Sequence, residues 1–180
     1  KGHLILLRAL ARLEHLQVAI VLLGAGDFNT GYAEMLEKTS VELGLGANVR
    51  ITTSSRDMPA ALMLADVVVM PSIHPEPFGR IAIEAQAMGR PVIAFDHGGA
   101  RETILEGKTG WLAKPNDIDS LSENLKTALS ISKSKRNELS NLAQSSVKRR
   151  FSVRKMTNST LEIYRKLLLK KGFSPLVLGK

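Results

Sequence analysis

Apolar positions along the chain change period repeatedly, and each change marks an element. Leu4, Leu6, Leu7, Leu10, Ala11 and Leu13 recur at helical spacing, so Lys1 to Glu14 reads as an amphipathic helix. Val18 to Leu23 is a continuous apolar run, the pattern of a parallel strand buried on both faces. Tyr32 to Leu43 is the next helix, ended by Gly44 or Gly46, and Val49 to Thr52 is a short strand. Thr53 to Ala65 reads as a polar loop and a short helix with Met58-Pro59 near its start. A strand at Val67 to Met70 leads through a proline-rich loop to a mostly buried helix, Ile81 to Met88. Gly89 stops that helix, and Pro91 opens the strand Val92 to Phe95. Thr109 to Ala113 is a further strand, and Pro115-Asn116-Asp117 starts a helix running to about Ile131. Two more helices follow, Lys133 to Arg150 and Val153 to Leu169. Strands alternating with helices predict an α/β fold, a parallel sheet with helices on both faces. Ligands bind such sheets at the carboxyl ends of the strands.

The length of 180 residues suits one domain, read as residues 1–170 with a tail at 171–180, and it is long enough to bury a full core. There is no cysteine, so disulfides and thiolate metal sites are excluded, which fits a reducing, cytoplasmic compartment. No stretch approaches membrane-spanning length. The chain opens at Lys1-Gly2 without a methionine, which suggests a piece of a longer protein.

The net charge of +8 is unevenly spread. Residues 1–125 hold 11 basic and 15 acidic side chains, whereas residues 126–180 hold 14 basic and 2 acidic, a net of +12. The basic residues are interspersed with apolar positions and few aromatics accompany them, which argues against nucleic acid. They read as a solvated face. The alternative is attraction to an anionic membrane surface, which would make the protein peripheral to the inner membrane.

Candidate chemistry concentrates between Pro71 and Ile104. Pro71, Pro75 and Pro77 hold the loop extended, because each fixes φ and keeps its predecessor out of the helical region. Gly79 then permits close backbone approach at the start of a helix, whose first amides have no internal partner and suit an anion. Glu76 stands just before this turn and Glu84 about a turn and a half inside the helix. That spacing can set one acid beside a phosphate-linked group and the other against a sugar hydroxyl.

Glu76-Pro-Phe-Gly with Glu84, Gly89-Arg-Pro-Val and His97-Gly-Gly-Ala-Arg-Glu102 resembles the donor half of retaining glycosyltransferases of family 4, from Lys1 to about Leu168. The resemblance implies the C-terminal, Rossmann-like half of a GT-B fold. It implies that Glu76 binds the transferred sugar, acting as the catalytic carboxylate, and that Glu84 binds the nucleotide ribose. The amides of Phe78, Gly79 and Arg80 would face sugar and diphosphate. Lys1, which on composition alone is a solvated terminal lysine, would pair with the diphosphate; the arginine that normally accompanies it lies before the first residue. The donor would be a UDP-, GDP- or ADP-linked sugar, and an N-terminal acceptor-binding domain would complete the enzyme. No metal or other cofactor is expected. The local set Pro-Glu-Pro-Phe-Gly, Ala-Gln-Ala-Met-Gly and His-Gly-Gly looks most like bacterial lipopolysaccharide and cell-envelope sugar transferases.

Other residues carry weaker signals. Gly24-Ala25-Gly26-Asp27 resembles a dinucleotide fingerprint only in part, with Asn29 at the third glycine, and reads as a tight turn lining the cleft. Arg50 to Thr53, with Arg50 and Thr52 named as candidates, are assigned to the neighbourhood of the nucleotide base. His74 reads as a loop side chain, with a catalytic role as the alternative; His97 reads similarly, although Gly98 and Gly99 should bring its loop to the cleft. Asp66 and Glu102 read as structural or capping residues, and Trp111 as packing. No His, Asp and Glu set has metal-ligand spacing. Two rivals remain: a nucleotide-sugar epimerase of the same fold, and a catalytically silent binding module.

Overall fold

The computed structural model describes residues 1–13, 18–27 and 30–172. Glu14, Asn29 and residues 173–180 of the expected tail lie outside the described residues. Five strands and eight α-helices alternate among those described. The strands are β1 (Ile20–Leu23), β2 (Val49–Thr52), β3 (Val68–Met70), β4 (Val92–Phe95) and β5 (Gly110–Ala113). The helices are α1 (His3–Leu10), α2 (Thr30–Glu42), α3 (Met58–Leu64), α4 (Arg80–Ala87), α5 (Ala100–Thr103), α6 (Ile118–Ser130), α7 (Lys133–Arg150) and α8 (Val153–Lys170).

Every strand pairing is parallel, as the alternation predicts, and the hydrogen bonding falls in two pieces, β1-β2 and β3-β4-β5. The strand β4 shows why helices cover both faces. All four of its residues are buried. Ile93 and Phe95 pack with Leu6, Leu7 and Leu10 of α1, Trp111 of β5 and Leu121 and Leu125 of α6. Val92 and Ala94 point the other way, to Leu62 of α3, Ala82 and Ala85 of α4 and Ile104. A period of two thus feeds two cores from one strand. Burying a side chain such as Leu7 or Phe95 contributes roughly 1.5–3 kcal/mol.

Caps fix several helix starts. Asp57 accepts from the Ala60 amide at 3.0 Å and Asp117 from the Ser120 amide at 2.9 Å, each satisfying a donor that the helix cannot. The helix α1 is shorter than the apolar spacing predicts: Gly2 stands in the left-handed region at its start, and the Arg12 and Leu13 amides bond three residues back, a turn tighter than the helix.

Contacts divide the chain into two compact units, residues 1–144 and residues 145–180. The first unit holds all five strands. The second holds the end of α7 and α8, in which no residue is buried.

Candidate functional site

The chain leaves β3 at Met70, turns through buried Pro71 and Ser72, and runs exposed as far as Phe78, apart from half-buried Glu76. Gly79, at φ 76° and ψ 55°, then turns it into α4. A left-handed residue at a helix start suits glycine, since a Cβ there would be crowded by the backbone. No side chain caps α4, so its leading amides remain available to an anion.

Glu76 is held from two sides. Its Oε1 accepts from the Ser72 hydroxyl at 2.6 Å and from Lys1 Nζ at 3.3 Å. The Ser72 bond, above all, holds the carboxyl below the usual carboxylate range; burial opposes it, and Lys1 and the N-terminus assist. Glu76 is therefore an anion at neutral pH. Lys1 reaches it because Gly2 lies directly against the Pro71 carbonyl, which seats the start of α1 on the end of β3. A lysine ammonium has three donors, so Lys1 can hold Glu76 and a phosphate oxygen together.

A second loop closes over the first. The Gly99 amide donates to the Glu76 carbonyl at 2.8 Å. A side chain on Gly98 would lie 2.5 Å from that carbonyl oxygen, and one on Gly99 would lie 2.5 Å from Phe78 Cα. Only glycine lets two backbones meet this closely. Arg101 fixes the loop's approach by donating to the Asp96 carboxylate at 2.8 Å and to its carbonyl at 2.9 Å.

Glu84 accepts from Arg80 Nη2 at 3.0 Å, one turn apart on α4, and both side chains are substantially exposed. Lys1, Glu76, Phe78, Gly79, Gly98 and Gly99 are thus gathered at the end of β3, with Arg80 and Glu84 following on the helix. Gly24 and Gly26 sit at the end of β1, where a Cβ on Gly26 would lie 3.1 Å from the Thr52 carbonyl carbon. Thr52 is the last residue of β2. Arg50 Nη1 donates to the Val49 and Ala47 carbonyls at 2.9 and 3.3 Å, toward the start of β2. His74 is exposed in the loop.

Asp66 ion-pairs with Arg136, in keeping with a structural role, and Trp111 is buried in the core. Glu102 lies inside the first turn of α5. Sequence reading missed two partners. One is Ser72, for which the four-residue spacing from Glu76 in a proline-rich loop was the available signal. The other is His3, whose Nδ1 lies 2.9 Å from the Tyr32 hydroxyl, joining the start of α1 to α2. Burial lowers the His3 pKa, with the N-terminus and Lys1 adding to it.

The family model described as glycosyl transferases group 1 matches residues 1–146. The chain belongs to that family. Its architecture is that of the GT-B glycosyltransferases. It is 34% identical over 131 residues to a GDP-mannose-dependent alpha-(1-6)-phosphatidylinositol monomannoside mannosyltransferase of Mycolicibacterium smegmatis, covering 67% of this chain and 33% of that protein. It is 33% identical over 137 residues to a lipopolysaccharide 1,2-N-acetylglucosaminetransferase of Salmonella typhimurium, covering 72% and 36%. The crystal structure of Anabaena Alr3699/HepE in complex with UDP-glucose aligns at a TM-score of 0.82 and 31% identity, over 92% of this chain and 45% of that one. The chain thus spans between a third and a half of the length of these proteins.

Proposed function

We propose that this chain is the donor-binding half of a retaining family 4 glycosyltransferase, which moves a sugar from a nucleotide donor to an acceptor held by another domain. One observation carries the reading. In a chain of this family, an ionised Glu76 and the Lys1 ammonium stand together beside an uncapped helix N-terminus. Glu76 takes the sugar hydroxyls, Glu84 the ribose, and the amides after Phe78 the diphosphate. Lys1 and those amides offset the charge that builds on the leaving diphosphate, without calling on a metal. Arg80 now holds Glu84, so ribose binding would share or displace that exposed ion pair.

The UDP-glucose complex of the Anabaena protein supports a nucleotide sugar as ligand. The Salmonella relative, with the Pro-Glu-Pro-Phe-Gly and His-Gly-Gly segments, favours an acceptor in lipopolysaccharide or other cell-envelope glycan. Such an acceptor would place the work at the cytoplasmic face of the inner membrane. Among the described residues, no helix is long and apolar enough to cross a membrane. Calorimetric titration with UDP, GDP and ADP and their sugar conjugates tests the reading. Saturable binding of at least one nucleotide sugar supports it, and no binding by any removes it.

A further inference from the structure

Both ring nitrogens of His97 are buried, and neither has a hydrogen-bond partner among the described residues. The ring lines a cavity of about 10 Å³ together with Ser72 and Glu76, and Met70, Phe95 and Ala100 make the rest of its wall. A cavity needs on the order of 10–15 Å³ to hold one water, so this one has the size of a single oxygen. Its polar groups are complementary. A neutral imidazole offers one donor and one acceptor, the Glu76 carboxylate accepts, and the Ser72 oxygen keeps lone pairs after donating to Glu76.

The ring is also firmly placed. The His97 amide donates to the Phe95 carbonyl at 2.8 Å, and the ring lies 6.2 Å from that of Phe95. Arg101 pins Asp96 on one side, and Gly98 presses on the Glu76 backbone on the other. A fixed imidazole with buried, unpartnered nitrogens, lining one cavity with the proposed sugar-binding carboxylate, is costly to keep unless something bonds to it.

We propose that His97, Glu76 and Ser72 form a subsite for one hydroxyl oxygen, either a sugar hydroxyl of the donor or a structural water. The hydroxyl donates to the Glu76 carboxylate and accepts from the imidazole N–H. Its assignment to sugar rests on the donor reading above; its existence does not. His97 is on this account a specificity-determining residue, next to a carboxylate that Ser72 and Lys1 keep ionised.

High-resolution crystal structures of the chain, without ligand and with UDP-glucose or GDP-mannose, test the subsite directly. An ordered oxygen bridging a His97 ring nitrogen and Glu76 is expected in at least one. Its absence from both overturns the proposal. If no nucleotide sugar binds, the donor reading fails, and the ligand-free crystal alone decides the subsite. Calorimetry on His97→Leu and His97→Gln then separates the two sources. A sugar hydroxyl predicts that His97→Leu weakens nucleotide-sugar binding about three- to tenfold, the cost of one hydrogen bond, leaves the free nucleoside diphosphate within about twofold, and is partly rescued in His97→Gln. Equal effects on both ligands, with the bridging oxygen present, assign it to water.

Discussion

The Ser72 hydroxyl reaches Glu76 Oε1 at 2.6 Å, and this bond is the largest single influence holding the carboxyl below its ordinary range, with the Lys1 ammonium assisting. Removing the hydroxyl should therefore raise the Glu76 pKa toward its ordinary value of 4.5, and Lys1→Ala, which removes a weaker hydrogen bond and a charge, should raise it too; the prediction is that the hydroxyl counts for more. Because the folded-state pKa is depressed, the stability that Glu76 contributes is present above the ordinary value and lost as pH falls through the depressed one. NMR titration of the Glu76 side chain in wild type, Ser72→Ala and Lys1→Ala reads the order. A larger shift in Lys1→Ala would show that charge, not the hydrogen bond, governs the site.

Gly99→Ala should damage both fold and binding, because its Cβ would lie 2.5 Å from Phe78 Cα. Overpacking of that kind costs about 1–3 kcal/mol. Gly107→Ala is the contrast: Gly107 stands at a positive φ of 67°, unlike Gly99 at −65°, but no atom lies within 4 Å of a Cβ there. Only the left-handed strain of about 1–2 kcal/mol should appear, with nucleotide affinity unchanged. Denaturant melts and nucleotide titration on both variants check this.

A solitary chain should bind donor without transferring sugar efficiently. Holding an acceptor hydroxyl against the anomeric carbon can supply on the order of 7–11 kcal/mol of barrier lowering, and the groups gathered at β3 and α4 address only the donor. Radiolabelled donor with candidate acceptors should yield at most slow hydrolysis. Robust product from these residues alone would contradict the division of labour.

The basic end offers a separate expectation. On α8, Met156, Ile163, Tyr164 and Leu167 are exposed on a helix that also carries Arg154, Lys155, Arg165, Lys166 and Lys170. If this end serves anionic membranes, acidic vesicles should pellet the chain at low salt. Pelleting should fall steeply as the screening length shrinks from about 10 Å at 0.1 M to about 3 Å at 1 M. Failure to pellet at low salt leaves a solvated face.

Local patterns carried much of the fold. Val92–Phe95 and Val49–Thr52 are bounded as the apolar runs predict, and α6 begins where Asp117 can cap it. Proline and the cap residues act within a few positions of themselves, so their signals survive in one dimension. The end of α1 did not, because it depends on backbone bonds that tighten after Leu10. The direction of Arg50 was hidden for a similar reason: whether a strand's guanidinium reaches forward or folds back depends on carbonyls from the preceding turn. For the site, the acids, glycines and Lys1 were legible as motif members. The Ser72 bond was signalled only by its four-residue spacing from Glu76, and the placement of the His97 ring not at all, since that follows from how two loops pack.

The most direct test of the account compares Glu76→Ala and Glu84→Ala by calorimetry, each titrated with the free nucleoside diphosphate and with its nucleotide sugar. Losing a hydrogen bond to a charged group costs about 1.5–3 kcal/mol, or about one to two decades in affinity. Glu84→Ala should lose that much for both ligands, since both carry the ribose. Glu76→Ala should lose it for the nucleotide sugar and leave the diphosphate nearly unchanged. Equal losses for the two ligands in both variants would contradict the assignment of sugar to Glu76 and ribose to Glu84.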